Sequence, residues 1–160
     1  MWMDANAVGK MYSEAELGYF AGMLDADGAI MALIEKHQEK KFKHRIRIVL
    51  KISQKANESL LWFPKTFNVG AIRRNRSAFD WLVRRQNDVT KLLILVSPYV
   101  QVKRKQVSLA LDILGKNQSF KKAFLQAAQF ADTLSKLNVR STNRRKNNAT
   151  MIYEYFSRND

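Results

Sequence analysis

The segment from Ser13 to Gly28 constrains the fold more than any other part of the chain. Ser13 is a favourable helix N-cap, and Glu16 follows three residues later, which is the spacing of a capping box. The sequence therefore predicts a helix that begins at Glu14 and ends near Leu24. Gly28 is expected to supply a positive φ at the helix ending.

One face of this predicted helix carries only small side chains. Gly18, Ala21 and Gly22 fall at i, i+3 and i+4, so they are expected to share one side of the helix. Gly costs about 1 kcal/mol relative to Ala within a helix, so two glycines here favour close packing of another backbone. The sequence contains no duplicated half, and we therefore expect the partner helix to come from a second copy, in a symmetric homodimer. Packing of this helix inside one chain is the alternative, and it would leave a monomer.

Two carboxylates, Asp25 and Asp27, follow at the C-terminal end of the same helix. The helix dipole is negative there, so each acid costs a few tenths to about 1 kcal/mol unless a cation compensates it. A divalent metal ion would do so, and because the chain has no Cys the ion should be a hard one bound by oxygen. Two Asp27 side chains brought together across a helix pair would form a usable site. Asp25 is expected to be structural support.

The net charge of the chain predicts a polyanionic partner. It is +14 over 160 residues, although the first 30 residues contain one lysine against five carboxylates. An acidic centre in a strongly basic chain suits nucleic acid held around a metal site, whereas a solvated basic surface or anionic lipid is the alternative. The longest apolar run, residues 92–96, is too short to span a bilayer, and no secretory signal pattern is present. We expect one intracellular domain, residues 1–160, with no membrane partner and no small-molecule substrate.

Period-two alternation predicts a β-hairpin directly after the acidic residues. In a strand from about residue 42 to 53, Ile46, Ile48, Leu50 and Ile52 alternate with a mainly cationic set. Like charges in a row repel, so this cationic face is relieved either by a phosphate backbone or by acidic neighbours. A second predicted hairpin, residues 71–86, carries further arginines. The residues of the two hairpins expected to contact DNA are Met31, Leu33, Glu35, His37, Lys43, Arg45, Arg47, Lys51, Arg73, Asn75, Arg76, Ser77, Asp80 and Leu82.

Helical periodicity dominates the second half of the chain, with predicted helices at residues 87–96, 105–114, from 119 onward and 149–157. The element order αββαββα with extra C-terminal helices predicts an α+β fold in which two hairpins form one four-stranded antiparallel sheet. Residues 138–160 are interpreted as a basic loop followed by a helix. Lys105, near a predicted helix N-terminus, is expected to contact DNA phosphate. The cations expected to contact flanking phosphates are Arg140, Arg144, Arg145 and Lys146.

Residues 20–28, with the sequence FAGMLDADG, resemble the LAGLIDADG motif of homing endonucleases. The similarity covers most of residues 14–115 in element order, and it includes residues 42–44, 53–55 and 98–106. The resemblance implies the LAGLIDADG homing-endonuclease fold, with a saddle-like sheet. It also implies a homodimeric, single-motif, group I intron-encoded enzyme that hydrolyses both strands of a long pseudo-palindromic site in double-stranded DNA.

The resemblance assigns roles to four residues. The last acid of the motif is the metal ligand in single-motif members, which corresponds to Asp27, and the carbonyl before it corresponds to Ala26. Gln54 matches the polar residue that orders water or metal. Lys103 matches the lysine that polarises the solvent network or stabilises the charge of the phosphate.

The resemblance further implies Mg²⁺ as the cofactor, with Mn²⁺ or Ca²⁺ able to occupy the same oxygen site. It implies an origin in a mobile intron of a chloroplast, a mitochondrion or a microbe. At the family's additional basic position after Gln54 this chain has Glu58, or Lys55, so that role is open. Two alternatives on the same fold are an RNA-binding splicing maturase and a non-catalytic DNA-binding regulator. Retention of Asp27, Gln54 and Lys103 together favours the nuclease.

Overall fold

A computed structural model of the chain describes residues 11–138 and 148–159. The predicted order αββαββα is confirmed, with three further helices after it. The elements are α1 (Glu14–Asp27), β1 (Gly28–Lys36), β2 (His44–Gln54), a 3-10 turn (Asn57–Leu60), α2 (Trp62–Phe67), β3 (Ala71–Asn75), β4 (Ala78–Val83), α3 (Gln86–Val96), α4 (Arg104–Leu114), α5 (Lys121–Asn138) and α6 (Asn148–Asn159). No helix in these ranges is long and apolar enough to cross a membrane.

The four strands form one antiparallel sheet in the order β1-β2-β4-β3. Strand β1 pairs with β2 along its whole length, whereas β4 pairs only with the second half of β2. The first half of β2 is therefore left with an unpaired edge. Gln118 and Gln86 cover that edge, because the amide of Gln118 bonds both backbone groups of Ile46 and the amide of Gln86 bonds both backbone groups of Ile48. These two side chains replace the missing strand.

The core lies between one face of the sheet and the helices. Ile46, Ile48, Leu50 and Ile52 are buried there, as their alternation in the sequence predicts. Trp81 on β4 is also fully buried, and α1 and α2 contribute aromatic rings that pack against it. Helices therefore cover one face of the sheet, and the residues at alternate positions point to the opposite face.

Helix α1 begins as predicted but ends later. The capping box of Ser13 and Glu16 is present, whereas the helix continues to Asp27 instead of ending near Leu24. The prediction that Gly28 has a positive φ is wrong, because its φ is −92° and the chain passes directly into β1. Glycine is required there by close approach, since a Cβ would lie 2.6 Å from the carbonyl oxygen of Leu24.

Lys43 was predicted to lie on β2, and this prediction is also wrong. The strand begins at His44, and Lys43 occupies the preceding turn with a φ of 55°. Its ammonium donates a hydrogen bond to the carbonyl oxygen of Gln38 at 2.8 Å. A tight hairpin connection commonly needs one residue in the left-handed region, and alternation alone does not reveal which residue provides it.

Candidate active site and nucleic-acid interface

The C-terminal end of α1 brings Asp27 and Gln54 into contact. Asp27 is the last residue of α1 and Gln54 is the last residue of β2. Because β1 continues directly from α1 and β2 runs antiparallel to β1, the end of β2 returns to the end of the helix. The Nε2 of Gln54 donates to Oδ2 of Asp27 at 2.7 Å. A carboxylate only accepts, so the amide nitrogen of Gln54 must face Asp27 and its oxygen must face elsewhere.

Asp25 attaches the segment before α4 to the same end of α1. Its two carboxylate oxygens accept hydrogen bonds from the backbone N–H groups of Gln101 at 2.8 Å and Lys103 at 3.0 Å. These two donors offset the unfavourable position of Asp25 at the negative helix end. The structure thus gives Asp25 the supporting position predicted for it.

Lys103 places its ammonium at the end of α1. The Nζ atom donates to the backbone carbonyl oxygen of Asp25 at 2.6 Å, and the side chain is half-buried. Asp27, Gln54 and Lys103, which lie far apart in the sequence, are therefore all located at one end of one helix.

The oxygen atoms at this end suit a hard divalent cation. Ala26 lies in the last turn of α1, where helix carbonyls have no intrahelical donor. Together the Ala26 carbonyl and the Asp27 carboxylate offer only oxygen donors, which Mg²⁺, Mn²⁺ and Ca²⁺ prefer. Within residues 11–138 and 148–159, no three His, Cys, Asp or Glu side chains are grouped to hold a metal ion. The residues present fit part of a ligand set, and one chain does not complete it.

The outer side of α1 is open in the single chain. Gly18 and Gly22 are exposed, and a Cβ added at either position would meet no atom within 4 Å. Ala21 was predicted to share this face, and that prediction is wrong, because Ala21 is only 2% exposed in the core. Its spacing to Leu17 and Leu24 places it on their buried stripe instead. The exposed residues along this side of α1 are Ala15, Gly18, Tyr19, Gly22 and Ala26.

The open face of the sheet gathers most of the residues that were predicted to contact DNA. The strand register places the odd-numbered residues of β1, β2 and β3 and the even-numbered residues of β4 on this face. Arg76 and Ser77 extend it as exposed residues of the turn between β3 and β4. The predicted residues that the strands bring together are Met31, Leu33, Glu35, Arg45, Arg47, Lys51, Arg73, Asn75, Asp80 and Leu82.

The arginines of β2 are compensated within the chain by Glu35. Its Oε2 accepts from Nε of Arg45 at 2.9 Å, and its Oε1 accepts from Nη2 of Arg47 at 2.7 Å. Partial burial alone would raise the pKa of Glu35, but hydrogen bonds and charge from both arginines outweigh it and hold the pKa below its usual value. In the free protein an acidic neighbour, Glu35, therefore reduces the repulsion among the cations of this face, as one of the two predicted alternatives.

Asp80 is a buried residue of the same face and orients Asn75. It is 5% exposed, and its two carboxylate oxygens accept hydrogen bonds from the hydroxyl of Ser53 and from Nδ2 of Asn75. The Asn75 amide nitrogen is thereby turned inward and its oxygen outward. The predicted direct DNA contact of Asp80 is thus replaced in the free chain by bonds to its neighbours. Ser53 is a member of this face that the predicted set lacks, although it continues the alternation of Arg45 and Arg47 along β2.

Three further predictions concern the periphery of this interface. His37 follows β1, and its Nδ1 is buried without a hydrogen-bond partner in the described part of the chain, so only its other ring nitrogen could face a ligand. Lys105 is exposed in the first turn of α4. The predicted phosphate contacts of Arg140, Arg144, Arg145 and Lys146 lie outside the described residues.

Comparison with known proteins extends these observations. Residues 20–112 match a family model described as LAGLIDADG endonuclease. The DNA endonuclease I-CreI of Chlamydomonas reinhardtii is 30% identical over 138 residues, which cover 82% of this chain and 83% of that protein. The DNA endonuclease I-CvuI of Chlorella vulgaris is 29% identical over 133 residues, which cover 80% of this chain and 83% of that protein.

The fold is also similar to that of a solved structure. The homing endonuclease I-CvuI in complex with its target, in the presence of 2 mM Ca, superposes with a TM-score of 0.80 and 27% identity. The match covers 90% of this chain and 94% of that chain. The similarity in sequence and fold therefore includes both the acidic end of α1 and the sheet.

Proposed function

This chain belongs to the LAGLIDADG endonuclease family and is a site-specific DNA endonuclease, and we propose that it acts as a homodimer on a long pseudo-palindromic site. The observation that carries the proposal is the contact between Asp27 and Gln54 at the end of a helix whose outer side is open. The Asp27 carboxylate and the open helix face thus occur on one element, so pairing of two helices would also bring two sites together.

The exposed side of α1 favours a second copy of this chain as the partner. Gly18 and Gly22 leave room for a backbone to approach closely, and Ala15 and Ala26 extend the same small-residue face toward both ends of the helix. A twofold axis along this face would juxtapose the two Asp27 residues, because Asp27 ends the helix. Each chain would then contribute one carboxylate to a shared metal region.

The open sheet face supports double-stranded DNA as the substrate. It combines Arg45, Arg47, Lys51 and Arg73 with apolar and amide side chains, which is the composition of a surface that reads base edges in the major groove. Two such sheets related by a twofold axis would read a pseudo-palindrome. An intracellular site of action, in an organelle or a microbial cytoplasm, is part of this proposal because the substrate is DNA.

The cofactor is a divalent metal ion, and we propose Mg²⁺. Structures of the related I-CvuI were determined with the I-CreI target in 2 mM Mg, in which the DNA is not cleaved, and with its own target in 2 mM Ca. When bound, the ion supplies charge neutralisation at the phosphate and activation of a water molecule. The Asp27 carboxylate and the Ala26 carbonyl would hold it. Either Mn²⁺ or Ca²⁺ would fit the same oxygen donors.

Three residues of the chain have further roles in the proposed reaction. Gln54 holds the Asp27 carboxylate through its nitrogen, so its amide oxygen can accept a hydrogen bond from the attacking water and orient it. The Lys103 ammonium lies at the same helix end, where it can offset the charge that develops on the phosphate. Asp25 keeps Lys103 in place by binding the backbone N–H of that residue.

Replacing Asp27 by Asn tests this proposal. Asp27→Asn should abolish cleavage of a selected duplex in Mg²⁺ while leaving duplex binding measurable, because the change removes the metal ligand but not the sheet. Asp112→Asn is a matched control, since Asp112 is exposed on α4 and loses the same charge. Cleavage by Asp27→Asn at the wild-type rate, or wild-type cleavage in excess EDTA, would contradict the proposal.

The two alternatives predict other outcomes. A non-catalytic regulator would bind duplex DNA equally well with and without metal and would not nick it. A splicing maturase would bind structured RNA more tightly than any duplex. Parallel binding and cleavage assays with the same protein preparation separate these cases.

A further inference from the structure

Glu35 divides its two carboxylate oxygens between two arginines on the open sheet face. It lies directly opposite Arg45 in the β1–β2 register, whereas Arg47 lies opposite Leu33, one row further along the same face. Each oxygen therefore accepts from one guanidinium, at 2.9 Å for Arg45 and 2.7 Å for Arg47. The acid fixes two flexible cationic side chains at once.

The two arginines are held through different nitrogens. Arg45 is bonded to Glu35 through Nε, so both terminal nitrogens are uncommitted to the acid, and its side chain is 34% exposed. Arg47 is bonded through Nη2, its Nε is buried without a partner in the described part of the chain, and its side chain is 19% exposed. The two terminal nitrogens of Arg45 are therefore available as a pair of parallel donors, while Arg47 is the more buried of the two arginines that hold the carboxylate.

We propose that Glu35 is a specificity-determining residue that acts through Arg45. By holding Nε, it aims the two terminal nitrogens of Arg45 at O6 and N7 of one guanine in the major groove. Its negative charge also weakens the attraction of this patch to phosphate, which every sequence offers equally. The inference depends on the proposed function, since it assumes that the open sheet face lies in the major groove.

Stability alone does not account for the arrangement. The ion pair of Arg45 with Glu35, in which both side chains are about one-third exposed, contributes little to folding. Fixing the orientation of a guanidinium, in contrast, directly limits which base edge it can satisfy. Glu35 is therefore a positioning residue, and a change in base preference is the readout that a merely structural role would not produce.

Selection of duplexes by binding tests the inference without requiring cleavage. Wild-type protein, Glu35→Gln, Arg45→Lys and Glu39→Gln would each select from a randomised duplex library, and the base frequencies would be compared position by position. We expect wild type to favour guanine at one position in each half-site. Glu35→Gln and Arg45→Lys should both reduce that preference about 10-fold or more, at the same position.

The remaining comparisons distinguish specificity from simple charge. Glu35→Gln should bind random duplex more tightly than wild type, with other base positions unchanged. Glu39→Gln is the matched control, because Glu39 is exposed on the same hairpin and loses the same charge. It should leave the guanine preference intact. Melting curves and circular dichroism would establish that all four proteins are folded.

Three results would count against the inference. It is overturned if Glu35→Gln selects the wild-type base profile, or if it weakens all positions equally. It is also overturned if Arg45→Lys changes a different position from Glu35→Gln. Selective binding without any cleavage in Mg²⁺ would contradict only the proposed function, whereas absence of selective duplex binding would contradict both.

Discussion

Replacing Gly18 and Gly22 by alanine should stabilise the folded single chain and weaken the association of two chains in the proposed dimer. A Cβ at either position meets no atom within 4 Å in the single chain, so the two methyl groups fit without any rearrangement. In the proposed dimer the same methyl groups would lie between two closely packed helices. Folding of one chain and association of two chains are therefore predicted to respond with opposite sign.

The magnitudes follow from helix propensity and from overpacking. Each Gly→Ala change should stabilise helix α1 by about 1 kcal/mol, so the double variant gains about 2 kcal/mol per chain. An extra methyl in a close-packed contact costs about 1 kcal/mol or more. With four added methyl groups in a symmetric pair, the cost of association reaches about 4 kcal/mol, which raises the dissociation constant about 1,000-fold.

Two measurements check this prediction. Sedimentation equilibrium gives the dissociation constant, and urea unfolding at a concentration where the chain is monomeric gives the free energy of unfolding. Gly115→Ala is the control, because Gly115 ends α4 with a φ of −79° and an added Cβ would have no contact shorter than 3.4 Å. An unchanged dissociation constant in the double variant would refute the assignment of α1 to the interface.

Three further predictions concern other parts of the chain. Asp25→Ala removes the acceptor of two backbone N–H groups, so it should lower the free energy of unfolding by about 1–3 kcal/mol and reduce cleavage more than duplex binding. Gly28→Ala should destabilise by about 1–3 kcal/mol in urea unfolding, because its Cβ would collide with Leu24; an unchanged midpoint would show that α1 can shift. The pKa of Glu35 is lower in the folded state than its usual 4.5. The ion pairs of Glu35 with its arginines therefore stabilise the fold above pH 4.5, and this stabilisation is lost as the pH falls through the pKa of Glu35 in the folded state. The unfolding free energies of wild type and Glu35→Gln should therefore converge on acidification below about pH 4.5, and a difference that persists under acid would contradict the assignment.

Local signals in the sequence predicted the elements of the fold well. The capping box at Ser13 and the alternation of Ile46 to Ile52 depend on residues near one another in the chain, and both are present as predicted. Positions that depend on contacts across the fold were predicted less well. Ala21 looked equivalent to Gly18 by spacing, but the direction of the core was needed to show that it is buried.

The candidate site shows the same division. The family resemblance picked out Asp27, Gln54 and Lys103, but the contact of Gln54 with Asp27 depends on the register between β1 and β2. That register is set by packing of the whole sheet, which periodicity does not specify. The bond from Glu35 to Arg45 could have been anticipated as the acidic relief of a cationic face, although the sequence alone did not choose between an acid and a phosphate.

The dependence of cleavage on protein concentration tests the central claim most directly, namely that two copies of α1 together form the active site. Cleavage of a selected duplex in Mg²⁺ would be followed across the concentration range in which sedimentation shows monomer converting to dimer. The account predicts that the initial rate rises with the square of protein concentration while monomer predominates. A rate proportional to protein concentration throughout that range would show that a single chain cuts DNA, and would contradict the account.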